Sequence, residues 1–203
     1  MGLWRSLRSK LVQVNVLIEG YAKEIENGWL ASSTVTLVES NGKKLIVDPG
    51  CNRSKLLDVL LSNNLETDDI DYVLLTHSHI DHALLSGIFK KAKVLTSEEI
   101  YTDDTQILHN GIVPETDLKI IQTPGHSLEH CSLVAPTSNG IYVVCGDVFW
   151  WIDSENQKID IEKIDDAHPQ EVDMERLRES RQKILKIADF IVPGHGKVLK
   201  VEK

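Results

Sequence analysis

The sequence from residue 72 to residue 82 reads Tyr-Val-Leu-Leu-Thr-His-Ser-His-Ile-Asp-His. Its apolar beginning, Tyr72 to Leu75, predicts a short buried β-strand. Four potential metal ligands follow within six residues: His77, His79, Asp81 and His82. In an extended segment the two leading histidines point to the same side, and a helix starting just after them presents Asp81 and His82 from its first turn. Buried imidazoles and carboxylates at this density require a pairing cation, so the stretch predicts two adjacent sets of metal ligands.

Three further potential ligands come directly after predicted apolar strands. They are His126, Asp147 and His195, and each follows a glycine that lets the backbone turn sharply. The ends of neighbouring strands meet at one edge of a sheet, where folds of this kind place their sites. A single histidine after a strand is a weak signal, because most such residues are surface polar groups. The ordered set, taken with residues 77–82, predicts one metal centre.

Hairpins and then alternating strands and helices surround these residues. The predicted strands are Val12–Glu19, Thr34–Glu39, Lys44–Val47, Tyr72–Leu75, Lys93–Thr96, Leu118–Gln122, Cys131–Ala135, Ile141–Cys145 and Phe190–Val192. The predicted helices are Ser54–Leu65, with Leu56, Leu57, Leu60 and Leu61 on one face, His82–Phe89 and Asp173–Ala188. Residues 20–32 are predicted to form a loop. The pattern indicates an α/β protein with two sheets and helices outside both.

Composition restricts the classes of partner. A length of 203 residues predicts a single domain over residues 1–203. The formal charge is 22 − 31 = −9, and the segment 97–118 is acidic, so a nucleic-acid partner is disfavoured and a small-molecule substrate is expected. The apolar run at residues 11–18 is too short and too polar for a signal peptide or a membrane span, which predicts a cytoplasmic protein without membrane attachment. The sequence leaves open whether the protein forms a homodimer.

The three cysteines are Cys51, Cys131 and Cys145, and none forms a Cys-x-x-Cys pair. An odd count is a poor basis for disulfides, so all three are predicted to be free thiols. Cys145 precedes Asp147 by two residues and is predicted to lie in the core rather than to bind metal.

The ordered set of motifs resembles the metallo-β-lactamase superfamily. It consists of His-x-His-x-Asp-His, a strand-end histidine, a Gly-Asp pair and a final Gly-His pair, and the match runs from Thr34 to Gly196. The resemblance implies a four-layer αβ/βα sandwich with the site at one edge. Within the superfamily, the stretches Gly146–Phe149 and Ala188–Gly196 resemble the subfamily of metallo-β-lactamase domain-containing protein 1.

The resemblance also implies a dinuclear centre. One divalent ion would bind His77, His79 and His126. The other would bind Asp81, His82 and His195, and Asp147 would bridge the two. Asp81 and Asp147 are the catalytic candidates, because they would hold the attacking hydroxide in place. Nitrogen and oxygen ligands make zinc the expected metal and leave iron and manganese open.

Metal-assisted hydrolysis of an ester, thioester or phosphodiester-type substrate is the activity that the resemblance implies. A glyoxalase-II-like thioesterase is an alternative, although only seven residues follow Gly196 and leave no room for the helical glutathione-binding extension of the larger enzymes. A persulfide dioxygenase with one iron is another. An endoribonuclease is the third, and the acidic composition disfavours it.

Several residues near these motifs have two interpretations. Asp48 resembles an aspartate that steadies a ligand histidine, and it is equally explained as a turn residue. His130 is predicted to be a bystander and His168 a surface residue. Trp150 and Trp151 are predicted to form one wall of the cleft, because two large aromatic side chains at a strand end are expensive to expose. The alternative is that both pack beneath the helix near the C-terminus.

Overall fold

Two β-sheets face each other in the structure. The computed structural model describes residues 12–168 and 170–202. Its strands, in chain order, are β1 (Gln13–Ile18), β2 (Tyr21–Ile25), β3 (Gly28–Ser32), β4 (Val35–Ser40), β5 (Lys43–Val47), β6 (Tyr72–Leu74), β7 (Lys93–Leu95), β8 (Glu99–Thr102), β9 (Thr105–Leu108), β10 (Lys119–Gln122), β11 (Cys131–Thr137), β12 (Gly140–Trp150), β13 (Phe190–His195) and β14 (Leu199–Lys200). Its α-helices are α1 (Arg53–Ser62), α2 (Ile80–Ala83) and α3 (Met174–Ile187).

The first sheet has the spatial order β1-β4-β5-β6-β7-β8-β9 and the second has the order β10-β11-β12-β13-β14. Each sheet contains a hairpin that the sequence predicts. Strand β4 pairs antiparallel with β5, and β11 pairs antiparallel with β12. Parallel pairs follow, from β5 through β6 to β7 and from β12 to β13. Parallel neighbours end at the same edge of a sheet, so the segment after β6 lies at the same edge of the structure as the last residues of β12 and β13.

The core lies in layers that match the four-layer αβ/βα prediction. Between the sheets, Leu45 and Leu74 pack in one buried cluster with Leu133 and Val192. Outside the first sheet, α1 buries Leu56 and Leu60 against Ile46 and Val73. Outside the second sheet, α3 buries Leu177 and Ile184 against Val143 and Ile191. One apolar face of each helix thus covers the outer face of one sheet.

Two helix predictions need correction. Helix α1 buries Leu56 and Leu60, but Leu57 and Leu61 are exposed, so the predicted four-leucine face is only half buried. The helix predicted from His82 to Phe89 is a single α-helical turn, α2, followed by a 3₁₀ turn. The amide of Leu85 donates to the carbonyl of Gly50 instead of continuing the helical ladder. The Asp cap predicted for α3 is confirmed, since Asp173 accepts from two first-turn amides.

The loop prediction for residues 20–32 is wrong. Strands β2 and β3 form a separate two-stranded hairpin that is anchored at its base by a bridge between Gly20 and Gly196. Most of its side chains are exposed, so the segment lacks the alternating burial that marks a strand in a sequence. The exposed strand β9 was not predicted for the same reason. No helix in the described part of the chain has the length and apolar character needed to cross a membrane.

Candidate metal centre

The structure brings all seven predicted ligand residues to one edge of the two sheets. They form two groups: His77, His79, His126 and Asp147 in the first, and Asp81, His82 and His195 in the second. Within each group, every side chain offers one nitrogen or oxygen atom that lies within 4.8 Å of those of the other members. His77 and His79 follow β6, Asp81 and His82 lie in α2, His126 follows β10, Asp147 lies in β12, and His195 ends β13. The predicted convergence of the motifs is therefore present in the fold.

The first group contains three imidazoles. His77 and His79 lie between β6 and α2, and His126 follows β10. The Nε2 atom of His77 lies 2.9 Å from Nδ1 of His79, and the Nε2 atom of His126 lies 3.1 Å from that same Nδ1. Three ring nitrogens therefore converge on one point.

The second group combines α2 with the end of β13. The Nε2 atom of His195 lies 3.2 Å from Oδ2 of Asp81, and the Nε2 atom of His82 lies 3.8 Å from the same oxygen. Both of these histidines are buried, whereas the Asp81 side chain is 28% exposed. Asp81 therefore forms the side of this group that faces the solvent.

Asp147 lies between the two groups. Its Oδ1 is 3.3 Å from Nε2 of His82, and its Oδ2 is 3.4 Å from Nε2 of His126. A break in the β12–β13 register at Gly146 carries the aspartate to this position. The neighbouring residue Gly194 has to be a glycine, because a Cβ atom there would lie 1.7 Å from Asp147 Oδ1. The backbone is thus shaped to admit one carboxylate between two sets of imidazoles.

The glycine before Asp147 is equally constrained. Gly146 has a φ of 48°, in the left-handed region, and a Cβ atom there would lie 2.5 Å from Oγ1 of Thr76. Cys145, on the other side of this break, directs its sulfur to the carbonyl of Val192 and packs in the buried cluster around α3. Its predicted core position is confirmed, and all three cysteines are free.

Asp48 steadies a histidine of the second group. Its Oδ2 accepts from Nδ1 of His82 at 2.8 Å and from the Thr76 hydroxyl at 2.7 Å, while its Oδ1 accepts from the Thr76 amide at 2.8 Å. Of the two interpretations of Asp48, the structure supports the contact with a ligand histidine. A proton held on Nδ1 leaves the Nε2 lone pair of His82 directed into the site. His195 has a similar arrangement, with its Nδ1 3.0 Å from the Tyr21 carbonyl.

Two carboxylates that the sequence did not indicate hold the first group. Asp165 Oδ2 lies 2.6 Å from Nδ1 of His126, and Glu171 Oε2 lies 3.0 Å from Nε2 of His79. The Asp165 side chain is fully buried, whereas that of Glu171 is 57% exposed. Both belong to residues 152–173, the connecting segment between β12 and α3. The first group therefore depends on a segment outside both sheets.

Arg181 of α3 holds this connecting segment in place. It is 1% exposed and directs its guanidinium to the carbonyls of Val148, Ile161 and Lys163 at 3.0, 3.0 and 2.5 Å. A buried guanidinium is stable only with such partners. The helix thereby fixes the backbone just before Asp165.

His130 is not the bystander that the sequence predicted. Its ring is buried and stacks on that of His77, with ring centroids 5.0 Å apart. Its Nδ1 lies 3.0 Å from the Thr123 hydroxyl, and its Nε2 accepts from the amide of Asp147 at 3.2 Å. Burial lowers the pKa of His130 well below 6.5, which keeps Nε2 available as an acceptor. His130 thus positions the backbone of the shared aspartate.

The two tryptophans separate in the structure. Trp150 lines the cleft above the ligand groups, and its ring centroid lies 6.2 Å from that of His195. Trp151 packs with Phe149 in the buried cluster around α3, so its predicted role as a cleft wall is wrong. Successive residues of a strand point to opposite faces, which explains why only one of the pair reaches the cleft. His168 is exposed as predicted, yet it also lines the cleft.

Burial and neighbouring charges shift the pKa values of the side chains in the site. Burial would raise the pKa of Asp147, but His82 and His195 hold it well below the usual value of 3.8. Burial would lower the pKa of His82, but the carboxylates of Asp147 and Asp48 raise it well above 6.5. His77 has its pKa lowered well below 6.5, chiefly by burial. Asp147 is therefore ionised, and the imidazoles around it differ in charge, because His82 holds a proton and His77 does not.

The donor set fits divalent cations. His82 Nε2 and Asp147 Oδ1 are buried without a hydrogen-bond partner among the described residues, and they lie 3.3 Å apart. Two ligands bound about 2.1 Å from a tetrahedral ion would lie roughly 3.4 Å apart, which agrees with this spacing. All seven side chains offer nitrogen or oxygen, as zinc, iron and manganese accept. The residues present thus fit a pair of transition-metal ions.

Comparisons with known proteins identify the family of the chain. A family model described as the metallo-beta-lactamase superfamily matches residues 28–195. Metallo-beta-lactamase domain-containing protein 1 of Xenopus laevis is 33% identical over 200 residues, which cover 94% of this chain and 82% of the relative. Hydroxyacylglutathione hydrolase of Klebsiella pneumoniae is 33% identical over 125 residues, which cover 56% of this chain and 45% of that enzyme.

Solved structures share the fold. A protein solved in a di-iron-bound form superposes with a TM-score of 0.62 at 20% identity, over 83% of this chain and 90% of the other. The matched region of the family model contains every residue of both ligand groups. The chain therefore belongs to the metallo-β-lactamase superfamily, whose fold it adopts.

Proposed function

We propose that the protein is a metal-dependent hydrolase that holds two divalent cations and cleaves an ester, thioester or related bond in a small molecule. The observation that carries this proposal is the position of Asp147 between two ligand groups at the floor of an open cleft. A pair of ions that shares one carboxylate is the arrangement of two-metal hydrolytic sites. We further propose that residues 1–203 form one domain and that the protein acts in the cytoplasm.

The ligand assignments divide as the two groups do. His77, His79 and His126 would hold one ion, Asp81, His82 and His195 would hold the other, and Asp147 would contact both. Bound there, the ions would supply a hydroxide nucleophile near neutral pH and Lewis-acid polarisation of the scissile bond. Zinc suits this donor set, and iron or manganese suits it equally in chemical terms.

The protein side chains orient the reaction. Asp81 and Asp147 place carboxylate oxygens at the floor of the cleft, where they accept hydrogen bonds from a nucleophilic water and hold it towards the substrate. Asp48, Asp165 and the Tyr21 carbonyl keep the ligand rings in fixed orientations. This preorganisation removes reorientation from the reaction step.

A thioesterase is the favoured member of this class among the alternatives. The similarity to hydroxyacylglutathione hydrolase covers 56% of this chain. A persulfide dioxygenase that uses one iron needs no second ligand group, whereas three side chains form one here. An endoribonuclease has to bind a polyanion, and the net charge of −9 opposes it.

Metal analysis combined with a substrate panel tests the proposal. Protein reconstituted with zinc, iron or manganese should retain more than one equivalent of metal and should hydrolyse at least one ester, thioester or lactone. Chelation should abolish the activity. His195→Ala should lose mainly one equivalent, while His109→Ala, which removes an imidazole away from the cleft, should keep both. Metal content near zero after reconstitution would contradict the proposal.

A further inference from the structure

The cleft above the ligand groups has a volume of about 470 Å³ and is enclosed by three walls. The β2–β3 hairpin provides Ala22, Trp29 and Ala31, and helix α2 provides Ile80. The third wall is the region after β12, which provides Ala167 together with Trp150 at the strand's end. A volume of this size lies within the range of small-molecule sites. Apart from Cys51, Ser78 and His168, the residues that line the walls are apolar, and residues of the two ligand groups form the floor.

The hairpin has two different faces. Ala22 pairs with Ala31, and Glu24 pairs with Trp29, so the alternation along the strands places these residues on one face. Leu30 lies on the opposite face. Trp29 and Leu30 are almost equally exposed, at 52% and 53%, but only Trp29 lines the cleft. When a ligand covers an exposed tryptophan at the mouth of a cleft, the free energy falls because apolar surface is removed from water.

The cleft walls carry no positive charge. None of the described residues that line it is a lysine or an arginine. Lys163 lies nearby, 4.8 Å above the Trp150 ring, but it pairs with Glu155 at 3.2 Å. The cross-strand partner of Trp29 is Glu24, which adds a carboxylate close to the mouth. A phosphodiester chain or a multiply charged thiol carrier would meet no counter-charge on these walls.

We infer that the substrate inserts an uncharged apolar group, such as an unbranched acyl chain, between Trp29 and Ile80 while its scissile carbonyl lies over the ligand groups. This inference rests on the proposed hydrolase function and names its substrate class. Covering the half-exposed indole of Trp29 and the exposed Ile80 side chain removes apolar surface from water, which favours longer acyl groups. Each buried methylene favours binding about three- to fourfold.

A chain-length series tests the inference. The substrates are p-nitrophenyl acetate, butyrate and hexanoate, assayed with the metal-reconstituted protein. In the unmodified protein, kcat/KM should rise about three- to fourfold for each methylene. Trp29→Ala should flatten this dependence, lowering hexanoate hydrolysis at least about tenfold and acetate hydrolysis less than about twofold. Leu30→Ala removes an equally exposed side chain from the opposite face of the hairpin and should leave the dependence unchanged.

Binding to the metal-free protein separates the inference from the proposed function. Octanamide and octyl phosphate share one alkyl chain and differ in charge, and calorimetry gives their dissociation constants. Octanamide should bind more tightly, and Trp29→Ala should weaken it while Leu30→Ala should not. Equal or tighter binding of octyl phosphate, a flat chain-length series, or equal effects of the two variants would overturn the inference. If no ester or thioester is hydrolysed, the proposed function fails. The comparison of octanamide with octyl phosphate still shows whether the cleft prefers an uncharged ligand.

Discussion

The two ligand groups use similar side chains but have different support. In the second group, His82 is held by Asp48 at the end of β5, and His195 is held by the base of the β2–β3 hairpin. In the first group, His126 and His79 are held by carboxylates from the connecting segment 152–173. One group therefore depends on residues next to regular strands, and the other depends on a long connection fixed by Arg181. Similar ligand side chains are therefore held in place by different kinds of support in the two groups.

The largest effect is expected from replacing Asp147, the carboxylate that lies between the two groups. Asp147→Asn should weaken binding at both sites by more than about 100-fold, beyond the roughly 10- to 100-fold typical of residues that only orient ligands. The reason is that one neutral amide replaces the carboxylate between both groups. Metal titration followed by elemental analysis measures this. Retention of one full equivalent would show that Asp147 serves a single group.

Asp48→Asn should weaken the second group selectively. Asp48 is buried and accepts three hydrogen bonds, one of them from His82, so metal affinity there should fall about 100-fold. The first equivalent of metal should bind almost normally. Stepwise calorimetric titration distinguishes the two equivalents. Equal weakening of the affinity for both equivalents would contradict the proposed difference between the two groups.

Asp165→Asn should have the opposite selectivity. It removes the charge that orients His126, so affinity in the first group should fall about 10- to 100-fold while the second group keeps its ion. The matched control is Asp166→Asn, an adjacent exposed aspartate, which should change neither site. Equal loss in Asp166→Asn would assign the effect to general charge rather than to the contact with His126.

The smallest effect is expected for Glu171→Gln. Its side chain is 57% exposed, so water can replace its hydrogen bond to His79, and affinity in the first group should fall less than about tenfold. Competition with a chromogenic chelator resolves changes of this size. An effect as large as that of Asp165→Asn would mean that burial does not set the strength of this support.

The sequence predicted which side chains come together, because most of them lie at the end of an apolar strand or just after one. His77 follows β6, Asp147 lies in β12 after a glycine, and His195 ends β13, so local signals and parallel pairing suffice. Asp165 and Glu171 could not be found this way. They lie in a segment without periodicity, and their contacts with His126 and His79 join residues that are 39 and 92 positions apart in the sequence. An acidic residue in a long connection beside a ligand strand is the one signal that could have indicated them.

The β2–β3 hairpin escaped prediction for a related reason. Its exposed strands pair with each other rather than with either sheet, so neither face is buried in a core that would impose alternation. Trp29 in particular reads as an isolated aromatic residue in a polar stretch. Its position becomes meaningful only when the cross-strand register places it on the same face as Ala22 and Ala31.

The parallel pairing of β12 with β13 sets an order of assembly during synthesis. His126 emerges from the ribosome 69 residues before His195 (195 − 126 = 69), an interval of about 3–14 s at typical elongation rates. Until β13 arrives, the nascent chain exposes one edge of β12 and holds the first group without His195 to complete the second. A growing chain thus contains the first group of candidate ligands for several seconds before His195 can complete the second group.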